Sequence, residues 1–200
     1  MENRKDDLRK IKTRMALDGA FTSLIKEKSF DDISVKDITE RAMINRGTFY
    51  MHFQDKYELL NAYETELLSG LSKNLMENID EHQKLTRKMA KDIAIKTFEY
   101  VDVNSERIIA LFNNPGVKGF EQKIQEYMSA YYRDKVSQIL NPEKVKVDID
   151  YLIAYITGAH ISLMKRWLEN QRRESWEELA QILEIISVKG PFYAAGISEE

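Results

Sequence analysis

The sequence contains no cysteine, and only three prolines and eight glycines in 200 residues. Without cysteine there is no disulfide framework and no thiolate metal site, and a reducing cytoplasm is the simplest home. So few helix breakers leave long uninterrupted segments. The longest apolar stretch, near Tyr151–Ile156, falls far short of the roughly 20 residues a membrane span requires, so no membrane partner is expected. Met1 to Lys12 is charged and lacks an apolar core, so no signal peptide is expected. There is no glycine-rich phosphate loop and no H-E-x-x-H pair, and His52, His82 and His160 fall in different segments. No catalytic residue, metal ligand or cofactor is expected, which argues against an enzyme.

What is present is globular in character, with 43% hydrophobic and 32% charged residues. Charge is uneven along the chain. Residues 1–56 hold 12 Lys+Arg against 10 Asp+Glu, a net of +2; residues 57–200 hold 18 against 23, a net of −5; together they give the overall −3. A slightly basic front and an acidic back fit a protein that meets a polyanion with one end only.

Apolar periodicity is helical throughout, which predicts an all-α protein. In the first helix, Asp7–Lys28, residues Leu17, Ala20, Phe21, Leu24 and Ile25 form one stripe. Lys5, Arg9, Lys10, Lys12 and Arg14 crowd its beginning against the helix dipole, either as an arm that touches phosphates or as a solvated end. Ser34 with Asp37 makes a capping box for the next helix, whose inner face is Val35, Ile38 and Ala42. Met43 and Ile44 form a turn, and Asn45 suits the N-cap of Arg46–His52. Phe49 and Phe53, four apart, point into the core, which sends Arg46, Thr48, Tyr50 and His52 toward the surface. Gly47 costs that helix about 1 kcal/mol relative to Ala, but lets its backbone N–H approach something closely, a phosphate above all. Asp55 with Glu58 caps a long helix to about Asn78, with Leu60, Tyr63, Leu67, Leu71 and Leu75 as its stripe. A helix of that length can carry a domain boundary within it.

Further helices are predicted at Glu81–Val103, Glu106–Asn113 (closed by Asn-Asn-Pro-Gly), Val117–Leu140 (ended by Asn141-Pro142), Tyr151–Asn170, and from Ser175, capped with Glu178, to Lys189-Gly190-Pro191. Tyr151–Asn170 is apolar almost all round, which implies burial on more than one side. Ala154, Gly158 and Ser162 make a line of small residues along it. With Trp176, Leu179, Ile182, Leu183 and Ile186 they predict a two-fold dimer interface; the alternative is that both helices lie in the subunit's own core.

The segment Ser34–Lys56 resembles the TetR/AcrR family of bacterial transcriptional regulators. The match is V-x-D-I-x-x-x-A at Val35–Ala42, G-T-F-Y-x-H-F at Gly47–Phe53 and D-K-x-x-L at Asp55–Leu59. Met43 stands where the family commonly has glycine, a departure expected to change turn detail rather than placement. Gly158 through Trp167-Leu168-Glu169-Asn170, with Ser-x-x-Glu-Leu-Ala after it, looks like one broad subgroup that includes regulators of dihydroxyacetone metabolism. The resemblance implies a helix-turn-helix DNA-binding domain over 1–56 and a helical ligand-sensing and dimerisation domain over 57–200. It implies a homodimer whose two recognition helices enter successive major grooves of a palindromic operator. It further implies a repressor, released by a small ligand. On that reading Arg46 reads guanine or holds a phosphate. Thr48, Tyr50, His52 and Lys56 hold phosphates, with Ser34 and Lys36 at the preceding helix's start. Gly47 offers its backbone, and Asn45 caps, touches a base, or both. A sensor pocket would be lined by Phe98, Phe112, Phe120, Tyr127, Tyr131, His160, Met164 and Trp167, favouring a small apolar or aromatic compound; plain core is the alternative for each. The competing function is a helical adaptor or ligand-binding protein on the same fold that does not bind DNA.

Overall fold

Local capping decides where most helices begin. In the computed structural model, which describes residues 2–76, 86–139, 145–171 and 173–197, every regular element is helical. Helix α1 spans Glu2–Glu27 and is followed by a 3₁₀ turn, Phe30–Asp32; α2 spans Val35–Arg41, α3 Arg46–Tyr50 and α4 Lys56–Met76. Then come α5 (Arg87–Val103), α6 (Ser105–Asn113), α7 (Phe120–Ile139), α8 (Ile149–Glu169), α9 (Trp176–Glu184) with a π-helical turn at Ile185–Lys189, and α10 (Pro191–Ala194).

Ser34 and Asp37 form the reciprocal capping box the spacing predicts, as do Ser175 and Glu178. Asp55 caps α4 by accepting from the N–H groups of Tyr57 (2.9 Å) and Glu58 (2.8 Å). Some boundaries differ from the sequence reading. Helix α1 starts earlier than Asp7, α3 stops at Tyr50 rather than His52, and α7 starts at Phe120 rather than Val117, after Gly119 at φ +78°. Helix α8 starts at Ile149 rather than Tyr151, with Asp148 as its N-cap. The predicted ends at Asn78 and Leu140, the start at Glu81, His82, the Asn141-Pro142 stop and Arg172 lie outside the described residues.

The chain forms two compact units. The first joins the chain up to Leu67 with Glu106–Phe120; the second joins Leu68–Ser105 with the chain from Glu121 onward. The dividing point therefore lies inside α4, and a second stretch from well beyond residue 57 completes the first unit.

In the first unit Leu17, Phe21, Ile38, Phe49, Leu59 and Tyr63 are wholly buried. The buried line of α4 runs through Leu59 rather than the half-buried Leu60. Phe21 packs edge-on to both Phe30 and Tyr63, at ring distances of 6.0 and 5.1 Å. A charged seam links α1, α4 and α6: Arg14 meets Asp18 at 3.1 Å, and Arg107 meets Glu66 at 3.0 Å while lying over the Tyr63 ring.

In the second unit α9 packs along α5. Gly70 of α4 faces Tyr100 of α5 so closely that a Cβ would lie 2.2 Å from the tyrosine oxygen. Helix α8 buries Ile153, Thr157, Ile161, Met164, Trp167 and Leu168 on one face. Its other face does not share that burial within the chain: Tyr151 and Tyr155 are 78% and 58% exposed.

Candidate nucleic-acid interface

The interface is built on two short helices and the turn between them. Helix α2 ends in a left-handed residue, Met43, at φ +53°. The N–H of Met43 bonds to the Glu40 carbonyl (3.2 Å) and that of Ile44 to the Thr39 carbonyl (3.0 Å), a Schellman closure usually made by glycine. The methionine thus adopts the backbone that glycine adopts most easily, and its side chain stands 90% exposed.

Asn45 then caps α3, its Oδ1 accepting from the Gly47 N–H at 2.9 Å. Phe49 and Phe53 are buried, which turns Arg46 and Tyr50 to solvent and leaves Thr48 and His52 half-buried at the rim. The Arg46 guanidinium reaches the Tyr50 hydroxyl at 3.3 Å, and Tyr50 stands edge-on to Phe49. From Ala42 to Gln54 there is no acidic residue, so the outer face of α3 carries positive charge, hydroxyls and amide without a competing carboxylate.

Three of the predicted contacts have other occupations. The Gly47 N–H is taken by Asn45, so it is not the open donor the sequence suggests; what Gly47 provides is room, since a Cβ there would meet only Asn45 Oδ1, at 3.6 Å. The Ser34 hydroxyl donates to Asp37 Oδ2 (2.7 Å) and accepts from the Asp37 N–H (3.2 Å), while the Ser34 N–H donates to the same carboxylate, so this residue's donors serve the capping box. That bonding, with Lys28 3.0 Å away, holds the Asp37 carboxyl well below the usual carboxylate range. The Lys56 ammonium donates to the carbonyls of Phe30 and Asp31, both at 2.9 Å, and lies over the Phe30 ring. One of its three N–H groups remains for a phosphate. Lys36 is exposed beside Glu40, at 3.7 Å.

Helix α2 is fastened to α1 by a bidentate pair. The Arg41 guanidinium bonds both Glu27 oxygens at 2.7 Å and also reaches the Ser23 hydroxyl. The arginine's hydrogen bonds pull the Glu27 carboxyl down to about 2.

The eight residues predicted to line a pocket are shared between the two units. Phe112 and Phe120 pack on each other in the first unit, at 5.4 Å. In the second unit Phe98 meets Trp167 (5.9 Å), Tyr127 hydrogen-bonds Ser72 (2.9 Å), and Tyr131 lies beside Tyr132. The Tyr132 hydroxyl meets His160 Nδ1 at 3.1 Å, and Met164 is buried. A separate groove of about 490 Å³ is lined by Asp102, Trp167, Gln171, Arg173, Glu174, Ser175, Trp176 and Glu178. It shares only Trp167 with the expected lining and is mostly polar.

The predicted interface residues also divide. Leu179 is 2% exposed within the chain and so belongs to its own packing, while Trp176 is half-buried and its indole donates to Asp102 of α5 at 3.2 Å. Ile182, Leu183 and Ile186 are half-buried. Ala154 and Ser162 are exposed and Gly158 half-exposed. Tyr151 and Tyr155, read from sequence as part of an all-round apolar helix, share that outer face; helical counting back from Ser162 and Gly158 in steps of three and four residues is the signal that could have assigned them.

A capped α2, a left-handed turn and a short α3 with a basic, acid-free outer face define a helix-turn-helix DNA-binding unit. Residues 17–63 match the profile of bacterial regulatory proteins of the tetR family, and residues 88–189 match that of a transcriptional regulator C-terminal region. The chain belongs to the TetR family of transcriptional regulators. Among curated relatives, an uncharacterized HTH-type regulator YxbF of Bacillus subtilis is 19% identical over 178 residues, 88% of this chain but 45% of that one. The dhaKLM operon transcriptional activator DhaS of Lactococcus lactis is 30% identical over 101 residues, 44% of this chain and 53% of that one. This chain thus spans about half the length of these two relatives. Among solved structures, a TetR regulator of Streptococcus agalactiae aligns with a TM-score of 0.64 at 22% identity, covering 90% of this chain and 96% of that one.

Proposed function

We propose that two copies of the chain pair through the outer face of α8, present their α3 helices to the two halves of a palindromic duplex, and repress transcription until a small ligand binds the second unit. The outer face of α3 is the observation that carries the DNA reading: Arg46 and Tyr50 exposed, Gly47 leaving room, and no acid from Ala42 to Gln54. A neutral or acidic face would have favoured an adaptor instead. Arg46 is the base-reading candidate, because its fork matches guanine O6 and N7; Thr48, Tyr50, His52, Lys36 and the remaining Lys56 N–H are phosphate candidates. No helix among the described residues is long and apolar enough to cross a membrane, and the cytoplasm is the compartment in which this activity would serve.

Support for a ligand is the Tyr131 hydroxyl, which is buried without a hydrogen-bond partner among the described residues. Leaving such a group unpaired costs about 1–3 kcal/mol, which a small, mainly apolar compound with one acceptor would offset. Such a ligand acts by favouring a dimer whose two α3 helices no longer match the operator spacing.

The deciding experiment is enrichment of duplexes from a random-sequence pool, followed by gel shifts across a salt series. The expected result is a palindromic site bound with strong salt dependence, with Arg46→Ala losing both affinity and preference at one base-pair position. No enrichment, or binding indifferent to salt, would sink the DNA reading. A fall rather than a rise in the neighbouring transcript on deleting the gene would make the protein an activator, as the DhaS relative is by name.

A further inference from the structure

Asn114, in the turn after α6, is 5% exposed and uses its amide completely. Its Nδ2 donates to the carbonyls of Ile25 (2.7 Å) and Lys28 (2.9 Å), at the end of α1. Its Oδ1 accepts from the N–H groups of Phe30 (2.9 Å) and Gly116 (3.0 Å). A side-chain amide has two donor hydrogens and two acceptor lone pairs, and all four are engaged here. Two of the bonds satisfy carbonyls that the end of a helix leaves without intrahelical partners.

The next peptides of the same corner are held by Lys56. Asn114 takes the Phe30 N–H, while Lys56 takes the Phe30 and Asp31 carbonyls. Gly116 presses on this corner directly: a Cβ there would lie 2.6 Å from Ser29 Oγ and 2.8 Å from the backbone nitrogens of Phe30 and Asp31. The corner leads straight into Ser34, the cap of α2, and into Lys36. All of these residues belong to the first compact unit.

We propose that Asn114 is a positioning residue for DNA binding: by fixing the corner from Ser29 to Ile33 it sets where the Lys56 ammonium and the start of α2 meet the duplex. The turn after α6 is then a working part of the operator-binding unit, although it lies far outside the helix-turn-helix in sequence. This rests on the DNA-binding reading above. It assigns Asn114 no contact with DNA; it acts through Lys56 and α2.

The test measures affinity for a duplex enriched from a random-sequence pool by the unmodified protein, at a temperature well below each variant's melting point. Asn114→Ala is expected to weaken binding about tenfold and to lower the salt slope by about 1, the signature of one lost phosphate contact. Gly116→Ala, which pushes on the same corner, has the same effect, while Asn113→Ala, an exposed neighbour, has none. In a Lys56→Met background the Asn114→Ala loss largely disappears, because the two hold successive peptides of one corner and the loss is read through the Lys56 ammonium. If Asn114→Ala does not stay folded, Asn114→Ser, which keeps one hydroxyl, carries the same comparison. Affinity within about twofold of the unmodified protein, or an equal loss with and without Lys56, overturns the proposal alone. An unmodified protein that enriches no duplex overturns the DNA-binding reading and this inference together.

Discussion

Met43 and Gly47 lie four residues apart and depart from ordinary preference in opposite directions. Met43 places a side chain at φ +53°, where a Cβ costs about 1–2 kcal/mol. Nothing buries that side chain in return, for it is 90% exposed. Met43→Gly is therefore expected to raise stability by about 1 kcal/mol in denaturant titrations, with the turn unchanged; a loss of stability would show that the methionine packs on something absent from the isolated chain. Gly47 is the reverse case. Its surroundings would accept a methyl group, with Asn45 Oδ1 the one atom nearby, at 3.6 Å, so the fold itself does not require glycine there.

Among the elements, α8 carries an acid sensitivity that begins at a milder pH than that of the α1–α2 clasp. His160 is half-buried against Tyr132, and its desolvation pushes its pKa down to about 4 from an ordinary 6.5. The unfolded chain takes up this proton below 6.5, whereas the folded chain resists it until about 4. Stability is therefore expected to fall as pH drops through that window and to be flat above it. Urea unfolding between pH 7 and 4, about one half-unit apart, measures the slope, and His160→Gln removes it; an identical slope in the variant would assign the effect elsewhere. The Arg41–Glu27 clasp titrates lower, since Glu27 sits at about 2, and its contribution persists until pH falls below the ordinary carboxylate value of 4.5. What sequence showed at this scale follows from locality. The caps Ser34, Asn45 and Ser175 and the inward pair Phe49 and Phe53 depend on residues within four positions, so spacing alone finds them. The occupation of Lys56 by the Phe30 and Asp31 carbonyls, the pairing of Phe112 with Phe120 in the first unit, and the burial of Leu179 are set by residues remote in sequence. Periodicity says that a face is apolar but not which surface covers it. The Asn-Asn-Pro-Gly turn was legible as a stop and opaque as an anchor for the same reason.

For the whole molecule, pairing is the open quantity. A stripe with Tyr151, Ala154, Tyr155, Gly158 and Ser162 faces outward on α8 while the opposite face is buried. If two copies meet there, Gly158→Leu with Tyr155→Asp is expected to convert a two-chain mass into a one-chain mass by light scattering, with helical circular dichroism retained. A parent protein that already runs as a single chain would remove the dimer from the proposed function. The enriched DNA site would shorten accordingly, because one five-residue α3 with a single arginine reads few base pairs.

The composition of the first unit also sets an order of events during synthesis. Its helix-turn-helix is complete in sequence by Lys56, yet the stretch that completes the unit, Glu106–Phe120, and within it Asn114, which closes the end of α1, are made only after α4 and α5. At about 5–20 residues per second, the nascent helix-turn-helix waits several seconds with the Ile25 and Lys28 carbonyls answered only by water. A nascent or truncated chain ending near Leu67 is thus expected to carry every residue of the candidate recognition surface, and its Arg41–Glu27 and Lys56 bonds, without the four bonds Asn114 adds.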